Sequence, residues 1–251
     1  MCLRGKKLNP MYMNNELKDI LFLDIETVAN VYDYNALDER LKVQWSRKAN
    51  HFRQNPQQSD EEIYNGRAGI YAEFGKVICI VIGKFIENEK GELVLKTKAF
   101  YGDDEKKLLI DFSTTVEIRN NNALRLCAHN GKEFDFPYLC RRMLVNEVNI
   151  PSVLNIMGKK PWEVLHLDTM EMWKFGDYKH YTSLDLLTAI FNIPSSKSDM
   201  DGSQVNATYY KDKNLEKIKD YCIRDVEVLA QLYLKLRRIE VSQPIVIQHA
   251  E

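Results

Sequence analysis

Residues 20–27, ILFLDIET, constrain the fold more than any other stretch of the chain. A short apolar run of this kind predicts a buried strand. The two-residue period of a strand puts Phe22, Asp24 and Glu26 on one face and Leu23 and Ile25 on the other. Two carboxylates therefore project together from a strand with few polar neighbours. Buried acids cost several kcal/mol each unless something positive sits between them, and adjacent carboxylates repel one another. A bound cation would relieve both costs. Taken alone the pair means little, because a chain with 36 acids among 251 residues contains about five such Asp/Glu pairs by chance.

The neighbouring pattern tells what the strand belongs to. KVICIVIGKFI (76–86) and ELVLKTKAF (92–100) flank the turn-forming ENEKG and read as an antiparallel hairpin, which with 20–27 makes a three-strand meander. Residues 103–118 open with acids and place Leu108, Leu109, Phe112 and Val116 at helical spacing. A fourth strand is expected at 123–130, a helix over 134–148 with Pro137 in its first turn, and a short fifth strand within 164–170. Helices follow at 183–192 and 215–239, the second long and amphipathic. The result is a mixed α/β pattern without internal repeats. The stretch 29–75 is too long for a connection between adjacent strands and predicts a helical insertion. Its Trp45, Arg47, Lys48, His51, Phe52 and Arg53 could hold single-stranded nucleic acid by stacking and charge, or could bury Trp45 and Phe52 on the domain; the second is preferred.

Composition removes several classes of function. Lys plus Arg (35) nearly balance Asp plus Glu (36), so no overall basic field holds a polyanion, and any such substrate must be gripped locally. Five widely spaced cysteines with no CxxC pair point to reduced, mostly buried thiols in a cytosolic protein. No apolar run reaches the length of a membrane span, and the basic start lacks a following apolar stretch. Residues 1–17 are expected to be an unordered lead-in, or the natural start to lie downstream of Met1, with Met11 and Met13 in the same stretch. The single domain is expected over 18–240, with 241–251 as a C-terminal tail.

Two further stretches add acids. HNGKEFDFPYL (129–139) crosses from a strand end into a helix and carries Asn130, Gly131 and Asp135, where Asp135 could be no more than a helix cap. YCIRD (221–225) sets Tyr221 and Asp225 one turn apart on one helix face, which alone could be a solvated or capping pair. In this order LDIET, HNGKEFDFPYL and YCIRD resemble the three exonuclease motifs of the DEDDy 3′–5′ exonucleases, and most closely those of the proofreading exonuclease domain of family B DNA polymerases. The resemblance covers roughly residues 18–240, in the manner of free-standing relatives of that domain, and three ordered motifs are far more specific than any one.

The resemblance implies an α/β, ribonuclease H-like (DnaQ-like exonuclease) fold and a two-metal phosphodiesterase. It assigns Asp24, Glu26, Asp135 and Asp225 as acids holding two divalent cations, Mg²⁺ or Mn²⁺. Asp24 would be shared by both ions, Glu26 and Asp225 would complete the first, and Asp135 would support the second through water. Tyr221 would orient the attacking water; position 220 is Asp220, where the related histidine class keeps its base. Asn130 would contact the terminal nucleotide, and Lys197, in the stretch SSKSDMDGSQV, would meet a phosphate or lie on a solvated loop, the second being preferred. The expected substrate is a single-stranded 3′ end, DNA rather than RNA, released as nucleoside 5′-monophosphates. An exoribonuclease of the same class and a non-catalytic nucleic-acid-binding module are the alternatives. Asp168 could be a strand-end cap or an outer group, and His166 and His180 lack metal-ligand spacing. Nothing in the sequence selects a protein partner.

Overall fold

The structure is a computed structural model that describes residues 17–118, 123–177, 181–197, 200–241 and 245–250. The strands are β1 (Ile20–Ala29), β2 (Gly75–Glu87), β3 (Leu93–Tyr101), β4 (Arg125–Ala128), β5 (Leu167–Asp168) and β6 (Val246–Ala250). They form one mixed sheet in the order β5-β4-β1-β2-β3-β6. β2 runs antiparallel to both β1 and β3, while β4 runs parallel to β1, β5 to β4 and β6 to β3. The meander is thus the centre of the sheet, extended by a parallel strand pair on one side.

Helices cover both faces, and the alternation of β1 decides which residues meet which helix. Leu21, Leu23 and Ile25 join a core with α3 (Glu105–Ile118) and α4 (Asp135–Val145). Ile20, Phe22 and Val28 join the opposite core, built on α8 (Leu215–Leu236), which follows α6 (Leu184–Phe191) and α7 (Val205–Tyr210) in the chain. Each fully buried side chain of this size contributes about 1.5–3 kcal/mol. Gly83 on β2 permits the close approach of α8, since a Cβ there would lie 2.7 Å from Val226 Cγ1. Asn214 caps α8 by accepting from the Lys217 N–H at 3.0 Å, which satisfies one of the helix's free N-terminal donors.

Between β1 and β2 lie α1 (Glu39–Ala49) and α2 (Asp60–Arg67), the latter started by a Ser59/Glu62 capping box. They enclose a small core of their own around Trp45, Tyr64 and Phe74. Trp45 is 0 % exposed, and its Nε1 donates to the Asp60 carbonyl at 2.9 Å. That excludes a stacking role for Trp45. Arg53 forms an ion pair with Asp60, and the Lys48 ammonium lies 4.1 Å from the centre of the Tyr71 ring. Much of the basic and aromatic composition of this stretch is spent on its own packing.

One buried charge pair ties this region to the site-bearing helix. Glu105 receives Arg142 Nε at 2.9 Å, Arg142 Nη2 at 2.6 Å, Asn146 Nδ2 at 2.9 Å and the Val77 N–H at 2.7 Å. Arg142 Nη1 donates to the Ala72 carbonyl at 2.8 Å.

Three expectations change. The strand expected within 164–170 shortens to Leu167–Asp168, because the Asp168 side chain accepts from the Met170 and Glu171 N–H groups and starts α5 (Thr169–Lys174). The stretch read as a tail after 240 carries β6, whose backbone pairs with β3. Leu17, grouped with the lead-in, is 2 % exposed and belongs to the α8-side core; residues 1–16 lie outside the described residues. No helix among the described residues is long and apolar enough to cross a membrane.

Candidate active site

β1, α4 and α8 bring the acids together at the stretch of β1 that lies past its pairing with β4. Asp24 and Glu26 share the β1 face that looks toward α8, and the β1–β2 register shifts directly after Glu26. Asp135 is the first residue of α4, and its carboxylate accepts from the Ile25 N–H, between the two β1 acids, and from its own N–H. Tyr221 and Asp225 stand one turn apart on α8, with the phenol hydrogen-bonded to the carboxylate. Glu26, Asp135 and Asp225 are 8 %, 4 % and 8 % exposed, and Asp24 is half-buried.

These acids sense one another. Burial first, then Asp225, Asp135 and Glu26, holds the Asp24 carboxyl well above the usual range. Glu26 rises through burial and then Asp225. Burial lifts Asp135 to about 7 against its two backbone hydrogen bonds. Asp225 is also raised by burial, but hydrogen bonding from Ser196 and Tyr221 and the charges of Lys197 and Arg224 oppose the rise. Burial and the acids together push the Tyr221 phenol far up, so it stays protonated.

The donor set fits a hard divalent ion, which takes carboxylate oxygens. No ion pair among the described residues includes Asp24, Glu26 or Asp135, and no hydrogen bond reaches the Glu26 side chain. One oxygen each of Asp24 and Glu26 and the Cys222 sulfur lie within 4.8 Å of one another. Buried carboxylates without a counter-charge are costly, and a cation held between them would offset that cost.

A turn beside the acids is held by Asp168. Its Oδ1 accepts the Asn130 N–H at 3.0 Å and its Oδ2 the Lys132 N–H at 3.1 Å, besides capping α5. Asn130 sits at φ 64°, in the left-handed region that asparagine tolerates, and its side-chain oxygen is buried without a partner. Gly131 is required there, because a Cβ would collide with that of Ala128. Lys197 stands 3.8 Å from Asp185 at the surface, with its charge felt at Asp225.

Two groups, and the reach of a third, escaped sequence reasoning. Asp168 acts across 36 and 38 residues of chain, and no local pattern announces that. Ser196 reaches Asp225 from a loop. Cys222 donates to Asp24 Oδ2 at 3.3 Å, and only its place beside Tyr221 could have signalled it. His166 is a core group: Nδ1 accepts from the Leu126 N–H at 3.3 Å and Nε2 faces the Val153 carbonyl at 3.0 Å. His180 lies outside the described residues.

A family model described as a predicted 3′–5′ exonuclease related to the exonuclease domain of PolB matches residues 70–243. The chain belongs to this family. The matched span of this exonuclease includes Asn130, Asp135, Lys197, Tyr221 and Asp225, and leaves Asp24 and Glu26 to the geometry of β1. Among solved structures it is similar to the family B DNA polymerase from the hyperthermophilic archaeon Pyrobaculum calidifontis, with a TM-score of 0.53 and 14 % identity. That likeness covers 87 % of this chain and 24 % of the polymerase, so the chain spans about a quarter of the length of its neighbour. At this identity the likeness is one of fold: the mixed sheet with its antiparallel meander is the ribonuclease H-like architecture of the exonuclease domain. No curated protein matches the chain.

Proposed function

We propose that this exonuclease hydrolyses single-stranded 3′ ends with the help of two divalent cations, Mg²⁺ or Mn²⁺, and acts on DNA in preference to RNA. The observation that carries the proposal is the convergence of Asp24, Glu26, Asp135 and Asp225 from three elements, their carboxyls raised by burial and three of them without an ion pair. Cations held by these acids would lower the pKa of a water and stabilise both the attacking and the leaving oxygens of an in-line displacement.

The chain's own groups do the rest. Asp24, at the centre of the cluster, is the ligand both ions would share. Glu26 and Asp225 would complete one position, and Asp135, fixed to β1 through the Ile25 N–H, would support the other. Tyr221 remains a neutral phenol, which suits it to orient the attacking water by hydrogen bonding rather than to remove its proton. Attack on the terminal phosphorus breaks the bond to O3′ of the preceding nucleotide and releases a nucleoside 5′-monophosphate. Asn130, on the turn clasped by Asp168, would contact the terminal nucleotide, and Lys197 a phosphate. The preference for DNA rests on likeness to the polymerase's exonuclease domain. The free thiols Cys79, Cys127, Cys140 and Cys222 are in keeping with a reducing, cytosolic setting.

Product analysis with end-labelled single-stranded DNA and RNA, with and without Mg²⁺ or Mn²⁺, tests the proposal. It predicts metal-dependent mononucleotides from the 3′ end, faster from DNA. Faster release from RNA would assign the chain to the exoribonucleases, and no release under any condition would defeat the nuclease assignment.

A further inference from the structure

The same cluster contains a donor that hard ions do not use. The Cys222 sulfur is 3.3 Å from Asp24 Oδ2, and it lies with oxygens of Asp24 and Glu26 inside a 4.8 Å set. Cys222 is fully buried on α8, so its thiol points inward at the acids rather than to solvent. Glu26 supplies a second, separate sign of a ligand: it is 8 % exposed, faces the cluster, and receives no hydrogen bond from the described residues. Two carboxylates and a sulfur at this spacing match a borderline-soft d¹⁰ ion. Zn²⁺ and Cd²⁺ take thiolate and carboxylate together, whereas Mg²⁺ holds only oxygen and keeps several waters.

We propose that Asp24, Glu26 and Cys222 form a site for a thiophilic divalent ion, Zn²⁺ being the natural member of the class, which excludes hard ions and so inhibits the exonuclease. On binding, the sulfur–metal bond forms as the thiol releases its proton to solvent, and no electron changes hands. An ion fixed by sulfur is drawn toward α8 and occupies Asp24, the ligand the working ions must share. The inhibition is therefore competitive with Mg²⁺ or Mn²⁺ and is lifted by a chelator. Cys79, adjacent to Cys222 but outside the 4.8 Å set, is not a ligand. This inference rests on the proposed role of Asp24 only for the inhibition, while the binding itself stands on the three donors.

The test is titration of Cd²⁺ into the full-length chain without substrate, read by the ultraviolet charge-transfer absorption of a cadmium–thiolate bond. The wild-type chain and Cys79→Ser should show one saturable band, which Cys222→Ser lacks. Competition with a chromogenic chelator should show Zn²⁺ held less tightly by Cys222→Ser, by more than the ~10–100-fold that loss of an outer-shell partner costs. Asp24→Asn, which keeps the thiol, should also weaken the band's affinity and covers the case in which Cys222→Ser fails to fold. A band unchanged in Cys222→Ser, or no band in the folded wild-type chain, would overturn the site. Nuclease assays on the same preparations separate the two proposals. A Cd²⁺ band without nuclease activity defeats the nuclease assignment alone, and activity without a band defeats this site alone.

Discussion

The molecule buries carboxylates in two places and treats them in opposite ways. Glu105 is surrounded by donors: a two-pronged Arg142, the Asn146 amide and the Val77 N–H. Glu26 and Asp135 are as deep in the fold, Asp24 is half-buried beside them, and among the described residues none of the three has such a counter-charge; burial raises their carboxyls and neighbouring acids raise them further. The first is a finished structure, joining α3, α4 and the end of the insertion at Ala72. The second is the one we propose a cation completes. Burial alone does not mark a functional acid; burial without compensation does.

The contrast can be broken by substitution. Asp24→Ala should abolish turnover, by about 10⁴-fold or more, because it removes the ligand that both ions are proposed to share. It should leave the fold intact and raise the metal-free melting temperature, since it relieves repulsion. Thermal melts and nuclease assays on one preparation check both halves. Arg142→Met should do the reverse: it strands Glu105 and should cost about 3–5 kcal/mol of folding stability, with activity per folded molecule little changed. Denaturant unfolding beside active-fraction assays reads this, and a stable Arg142→Met chain would remove the contrast.

Tyr221→Phe sharpens the functional side. The ring stays in the α8 core and only the hydroxyl is lost, so ion binding should persist while turnover falls. Because the phenol stays neutral, the loss should sit at or below about 10²-fold, the lower end of what proton transfer contributes. Single-turnover rates with chemistry limiting would show it, and an unchanged rate would return Tyr221 to a packing role.

A smaller effect appears in stability against pH. Unfolded carboxyls ionise near pH ~4, and the folded cluster keeps its protons higher, Asp135 to about 7. Folded values above unfolded ones mean a contribution present below pH ~4 and lost as pH rises through about 7. His166 acts in the opposite sense. Burial lowers it to about 4, so its contribution is present above the ordinary histidine range of ~6.5 and lost as pH falls through about 4. Between pH ~6.5 and ~8.5 only the acids should matter, and the metal-free melting temperature should fall as pH rises. Saturating Mg²⁺ should flatten that slope, and a slope equal with and without Mg²⁺ would count against the cluster as its source.

Much of this was legible in the sequence because the carrying relations are short. Asp24 and Glu26 are two apart on a strand and Tyr221 and Asp225 four apart on a helix, so local periodicity alone puts each pair on one face. The meander was legible because a hairpin turn joins β2 and β3. What stayed hidden acts at long range or has too little pattern. β6 is five mostly exposed residues whose only strand signal is pairing with β3, some 150 residues away. β5 is two residues, set by where the Asp168 cap begins a helix. Trp45 among bases has one composition whether it stacks on a ligand or fills a core, and only the 0 % exposure decides. Asp168 looked like a cap and is one, but its hold on the Asn130 turn comes from β4 and β5 lying side by side.

Whether the uncompensated acids form a two-cation centre is most directly tested by titrating Mn²⁺ into the metal-free chain and into Asp24→Ala, with binding read by calorimetry. Two Mn²⁺ per wild-type chain, and loss of that binding in a folded Asp24→Ala, is the predicted result. Absence of saturable binding to the folded wild-type chain, or equal binding by both, would contradict it.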